Sequence, residues 1–176
     1  MFLGDDGFGP EVVRRASDRL ADSGARLVDY GIRGMHLAYD LLDDWDALVL
    51  IDAIPTRGSP GSVHVFEADH ESLHGAVALD AHSMDPAAVF ASLAALGGTP
   101  PYTVVIGCEA ANVEEGIGLS DSVAAAVDDA VRELEQVVTM VKSRAGAPAT
   151  EGSAGRSAAT RGGDPAGRSA ATRGGD

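Results

Sequence analysis

Two adjacent carboxylates, Asp5 and Asp6, stand in the glycine-framed turn Gly4-Asp5-Asp6-Gly7-Phe8-Gly9-Pro10, directly ahead of an amphipathic stretch. A further carboxylate, Asp52, closes the apolar run Leu48-Val49-Leu50-Ile51, and His82 follows in Asp80-Ala81-His82-Ser83-Met84-Asp85. Asp6, Asp52 and His82 could form an oxygen, oxygen, nitrogen ligand set for a metal ion. Imidazole suits nickel, zinc, copper or iron, while carboxylates favour harder ions. An open coordination position would leave room for a water or a substrate-borne group. Without metal, Asp6 and Asp52 brought close would share a proton and activate water as a paired acid and base. Spacing alone leaves both chemistries open.

Each of these residues also has a plainer role available. Asp5 and Asp6 could cap the following helix and meet its positive end. Asp52 could be an ordinary strand-end carboxylate, and His82 could be solvated in a polar loop. Cys108, at the end of a buried run, reads as a small core residue rather than a nucleophile. His36, His64, His70 and His74 read as structural or surface residues. Gly4, Gly7 and Gly9 do not make a dinucleotide fingerprint, because their order is wrong and Asp5 and Asp6 would repel a pyrophosphate.

Periodicity supplies the elements that must position these groups. Pro10 sits at a first helical position with Glu11 in the first turn, and Val12, Val13, Ala16 and Leu20 recur at helical spacing towards Gly24. Residues 26–31 read as a short strand closed by Gly31-Ile32-Arg33-Gly34, and residues 35–42 as a second short helix. Residues 46–54 form a near-continuous apolar strand of the kind covered on both faces. The Pro/Gly-rich turn 55–61 follows, and then an alternating strand over 62–67, expected to pair beside the preceding one. Residues 68–83 read as a loop, 86–96 as a helix stopped by Gly97-Gly98, and 102–108 as another buried strand. A final helix starts at Ser120 or Asp121 and keeps its apolar period to about Val141. Strands alternating with helices predict an α/β protein, a three-layer α/β/α sandwich around a mostly parallel twisted sheet. In such sheets ligands gather beyond the carboxyl ends of the strands, where Asp52 and Gly107-Cys108-Glu109 fall.

The bulk numbers exclude several functions. With 176 residues, 45% of them hydrophobic, the chain can bury one real core. Its net charge of −14 offers no footprint for nucleic acid or anionic membranes and favours cations or basic peptides. A single cysteine rules out an internal disulfide framework and a Cys-rich zinc site, and fits a cytoplasmic location. No run reaches the roughly 18 apolar residues of a membrane span, and no signal-peptide pattern opens the chain. The tail differs in kind: residues 154–164 recur as 166–176 around Pro165, with four arginines and no large apolar side chain. Two regions are expected, a folded domain over 1–142 and a disordered low-complexity tail over 143–176 that carries the duplicated 11-residue segment.

The combination of motifs resembles the hydrogenase maturation endopeptidases. Phe2-Leu3-Gly4-Asp5-Asp6-Gly7-Phe8-Gly9 is similar to their Gly-Asn-x-x-x-x-Asp-Asp/Glu-Gly-x-Gly opening, without its Gly-Asn. Gly31-Ile32-Arg33-Gly34, Val49-Leu50-Ile51-Asp52-Ala53, Asp80-Ala81-His82-Ser83, Gly107-Cys108-Glu109 and Glu115-Gly116-Ile117-Gly118-Leu119-Ser120 follow in the family's order. The resemblance implies an aspartic-type endopeptidase that removes the C-terminal extension of a nickel–iron hydrogenase large-subunit precursor after nickel insertion. Asp6, Asp52 and His82 would contact the substrate-borne nickel and place the scissile bond. No organic cofactor, nucleic acid or membrane partner is expected, and the chain is expected to act as a monomer. Arg33 to Met35 would lie near the site and shape substrate access.

One departure stands against this. The family carries a Val-Leu-Val-x-Gly-x-Gly-Asn strand inside its sheet, before the acidic turn, and Met1 falls immediately after that position. Without an interior strand, neighbouring backbone groups lose partners, at about 1–3 kcal/mol for each buried group. The expectation is a start upstream of Met1. The alternative is an inactive or binding-only relative that contacts the loaded precursor without cleaving it. A third reading is an α/β hydrolase using a bound ion on small substrates.

Overall fold

A computed structural model describes residues 4–68, 86–111 and 118–145. A 3-10 turn, Gly4–Gly7, runs directly into helix α1, Phe8–Ala16. Phe8, Val12 and Ala16 recur on one face of α1 and are fully buried there. On the other face Arg14 and Arg15 both reach Glu11, at 2.7 and 2.8 Å. Arg15 and Arg19 also reach Asp128 and Glu135 on the last helix. Such exposed pairs are worth only about 0.2–1 kcal/mol each. The packing of α1 therefore rests on its apolar stripe.

Among the described residues three strands form one mixed sheet: β1, Ala47–Ile54; β2, Val63–Ala68; and β3, Tyr102–Glu109, in the order β1-β3-β2. β1 runs parallel to β3, with Asp52 opposite Gly107, and β2 runs antiparallel to β3, with His64 opposite the same glycine. The sequence expectation that the strand over 62–67 lies beside β1 is thus corrected: β3 separates them. The physical reason is side-chain character. β3 is buried along almost its whole length, as its run Val104-Val105-Ile106 requires, whereas β2 exposes His64, Val65 and Glu67 and suits an edge.

The strand expected over 26–31 is not formed. The segment is irregular and satisfies itself locally: Gly31 N donates to Asp29 Oδ1, and the Arg33 guanidinium donates to the carbonyls of Tyr30 and Asp29. Among the described residues β1 pairs only with β3, and residues 26–31 line the cleft beside its outer edge rather than joining that edge in a ladder.

Helices cover both faces of the sheet. Helix α4, Asp121–Ala145, joins α1 on one face, where Val123, Val127, Ala130, Val131 and Leu134 pack with Phe8, Val12 and Ile106. Helices α2, Gly34–Asp40, and α3, Pro86–Ala95, cover the other, with Leu37, Ala38 and Leu41 against Val89, Phe90 and Leu93. β1 divides its side chains by the period-two rule, Val49 and Ile51 to the first layer and Leu48 and Leu50 to the second. The three-layer α/β/α arrangement follows directly. α4 continues a turn beyond Val141, where Lys142 and Arg144 suit a helix C-terminus and the Arg144 guanidinium lies 4.3 Å from the Tyr102 ring centre. The repeated tail from 146 lies outside the described residues.

Candidate active site

The site is assembled at the carboxyl ends of the parallel strands, by packing that brings the start of α1 onto the end of β1. At Gly9 a Cβ atom would stand 2.4 Å from the Ile51 carbonyl oxygen, so only glycine permits this approach. The turn that carries Asp5 and Asp6 is thereby seated beside the strand that carries Asp52.

The two adjacent carboxylates then separate in role. Asp5 is fully buried. Its Oδ1 accepts a hydrogen bond from Ser120 N at 2.7 Å, and its Oδ2 accepts from Ala111 N at 2.8 Å and Ser120 Oγ at 3.1 Å. It ties the opening turn to the residues after β3 and to the start of α4, where a negative charge meets the positive end of a 25-residue helix. Asp5 is a structural clamp. Asp6 and Asp52 are half-buried and line a common cleft of about 640 Å³. Asp52 Oδ1 accepts from the backbone N–H of Ala53 at 2.9 Å, which fixes the carboxylate at the strand end.

The cleft runs from these carboxylates along the outer edge of β1. Its apolar walls include Val13 from α1, Leu37 and Leu41 from the α2 side, and Leu134 and Val138 from α4. His82, the third expected ligand, lies outside the described residues, as do His70 and His74. Among the described residues no group of three His, Cys, Asp or Glu side chains is gathered to hold a metal ion.

Two neighbours complete the surroundings of the site, and the role of the first, Glu109, was less legible in the sequence. Glu109, at the end of β3, is buried, with 3% of its surface exposed. Its Oε2 accepts from Arg57 N at 2.7 Å and Ser59 N at 3.0 Å, and its Oε1 lies 2.9 Å from His64 Nε2. The backbone donors of Arg57 and Ser59, with help from His64, hold the Glu109 carboxyl below its ordinary pKa. Glu109 therefore pins the Pro/Gly-rich turn that leaves β1. The available signal was a carboxylate directly after a buried strand, which must find donors. Cys108 is fully buried, and desolvation, with the charges of Asp5 and Glu109, pushes its thiol up to about 11. A thiol so protonated is inert at neutral pH, in agreement with its reading as a core residue.

Two half-buried carboxylates lining a cleft at strand carboxyl ends can contact a cation presented by a substrate, or pass a proton to and from water. Comparisons with known proteins show what the chain as a whole is similar to. The sequence model of the family described as hydrogenase maturation protease matches residues 10–137. The hydrogenase expression/formation protein HupD of Rhodobacter capsulatus is 31% identical over 74% of this chain, and the match spans 65% of that protein's own length. HupD of Bradyrhizobium diazoefficiens is 29% identical over 84% of this chain and 79% of its own. Among solved structures, the hydrogenase maturating endopeptidase HybD of Escherichia coli superposes with a TM-score of 0.65 at 22% identity, over 79% of this chain and 86% of that one. The nickel–iron hydrogenase maturation protease HybD of Thermococcus kodakarensis superposes with a TM-score of 0.60 at 28% identity, over 78% of this chain and 92% of that one.

Proposed function

The chain belongs to the hydrogenase maturation protease family, and on that premise we propose that it is an endopeptidase for a nickel–iron hydrogenase large-subunit precursor. It removes the precursor's C-terminal extension once nickel has been inserted. The observation that carries this reading is the division of labour at the opening turn: Asp5 is consumed by the scaffold, while Asp6 lines the same cleft as Asp52. In this reading Asp6, Asp52 and His82 reach the nickel that the substrate brings, and the protein holds no organic cofactor of its own. Contact with the metal gives affinity only when the metal is present, so a loaded precursor is bound and an empty one is released. Attack on the scissile carbonyl needs an activated water. Either the nickel or one of the carboxylates supplies that activation. The reading includes a monomeric enzyme of the cytoplasm, and no helix among the described residues is long and apolar enough to cross a membrane.

The experiment compares nickel-loaded and metal-free precursor, each incubated with the chain and weighed intact by mass spectrometry. Shortening of the loaded form alone supports the proposal, and shortening of both removes nickel from recognition. A second reading, a relative that binds the precursor without cleaving it, is favoured by the outer edge of β1, which has no strand partner among the described residues. Co-migration of the loaded precursor with the chain, without any loss of mass, would select it.

A further inference from the structure

Six of the nine exposed large hydrophobic side chains of the described residues fall between Val28 and Trp45. They are not scattered. Met35, Tyr39 and Leu42, exposed by 49%, 54% and 44%, recur at i, i+4 and i+7 along α2 and the turn after it. Ile32, 86% exposed, extends the row by another three-residue step. The opposite face of α2 is already committed, since Leu37, Ala38 and Leu41 are buried against α3. A helix that is apolar on both sides, with one side open, is the composition of an interaction surface rather than of a solvent-facing helix.

The rim of this surface is acidic. Residues 26–46 contain five aspartates, Asp29, Asp40, Asp43, Asp44 and Asp46, against two arginines, Arg26 and Arg33. The surface is also held in place: Arg26 pairs with Asp40 at 2.9 Å and lies 5.9 Å from the Trp45 ring centre, while Trp45 Nε1 donates to the Asp40 carbonyl at 2.7 Å. It adjoins the candidate site, because Val28, Ile32, Trp45 and Asp46 also line the cleft that contains Asp6 and Asp52.

We infer that the Ile32–Leu42 face is the docking surface for the protein substrate, which presents an apolar element, such as one face of a helix, edged with lysine or arginine. The inference rests on the protease reading for the identity of that substrate. Charge decides between occupants. A second copy of this chain would bring two acidic rims together, and like charges across an interface are costly. The repeated tail carries arginines but no large apolar side chain to fill the row. An apolar and basic partner satisfies both features, and the continuity with the cleft would deliver its scissile segment to the carboxylates.

The test measures the dissociation constant of the full chain for nickel-loaded precursor, with cleavage followed separately by intact mass. Met35→Arg combined with Tyr39→Arg should weaken binding at least tenfold. Asp43→Lys combined with Asp44→Lys should weaken it too and flatten its salt dependence. Met140→Arg, on the exposed side of α4, should leave it unchanged. Equal affinity of wild type and both surface variants would overturn the docking surface. So would a dimer in sedimentation that the arginine variants dissolve, or an absence of binding by wild type. Binding by wild type without cleavage would sink the protease reading, and the variants would still decide the surface.

Discussion

Gly9 and Ile51 approach so closely that a methyl group on Gly9 would stand 2.4 Å from the Ile51 carbonyl oxygen. This contact between a helix start and a strand end brings the opening turn, and with it Asp6, to the end of the strand that carries Asp52. Both carboxylates line one cleft because the backbones can touch at this point.

The contact is open to direct perturbation. Gly9→Ala must push α1 off β1 against backbone rather than against a flexible side chain. We expect a loss of about 1–3 kcal/mol in urea unfolding, the range of overpacked core sites. Catalysis should fall further than stability alone requires, because a displacement of the turn moves Asp6. Wild-type stability in Gly9→Ala would show that the contact is relaxed in solution.

Asp5 and Asp6 should answer substitution differently. Asp5→Ala leaves the N–H groups of Ser120 and Ala111 without their carboxylate acceptor, and hydrogen bonds to charged groups are worth about 1.5–3 kcal/mol each. The variant should lose about 3 kcal/mol or more of stability. Asp6→Ala should lose less stability than Asp5→Ala while failing to process precursor. Equal stability losses in the two variants would contradict the division of roles.

Glu109 gives the fold an acid limit. Its carboxyl is held below the ordinary value in the folded chain, so its stabilising contribution is fully present above about pH 4.5 and is lost as the pH falls through its folded value. Glu11, held down to about 2 chiefly by its hydrogen bond from Arg14, adds in the same direction, but weakly because it is partly exposed. Melting temperature should therefore fall as the pH drops below about 4.5. Glu109→Gln should start lower at pH 7 and show a shallower fall. An unchanged pH profile in the variant would remove Glu109 as the source.

Cys108 should be silent. With the thiol buried and its pKa near 11, native protein should react with a thiol reagent only after unfolding, and Cys108→Ala should keep processing activity. Rapid labelling of the native chain would contradict the burial.

The sequence revealed the elements whose side chains have one dominant environment. Val104, Val105 and Ile106 announce a strand covered on both faces, and the period from Val123 to Val137 announces a helix on the core. It could not reveal what depends on neighbours. Residues 26–31 have the pattern of a strand, but a strand exists only where the backbone reaches an edge, and this segment stands across the cleft from β1. β2 follows β1 in the chain, yet the more continuously apolar β3 takes the place between them. Asp5 and Asp6 look equivalent as letters. Only the positions of Ser120 and Ala111, more than 100 residues away, make one a clamp and leave the other at the cleft.

The role proposed for Asp6 and Asp52 is that of the working carboxylates of a protease that reads nickel in its substrate. It is tested most directly by incubating nickel-loaded large-subunit precursor with wild type, Asp6→Ala, Asp52→Ala and His82→Ala, and weighing the intact products. Wild type should cause one discrete loss, of the C-terminal extension, and Asp52→Ala none although that variant remains folded. Full processing by Asp52→Ala would contradict it.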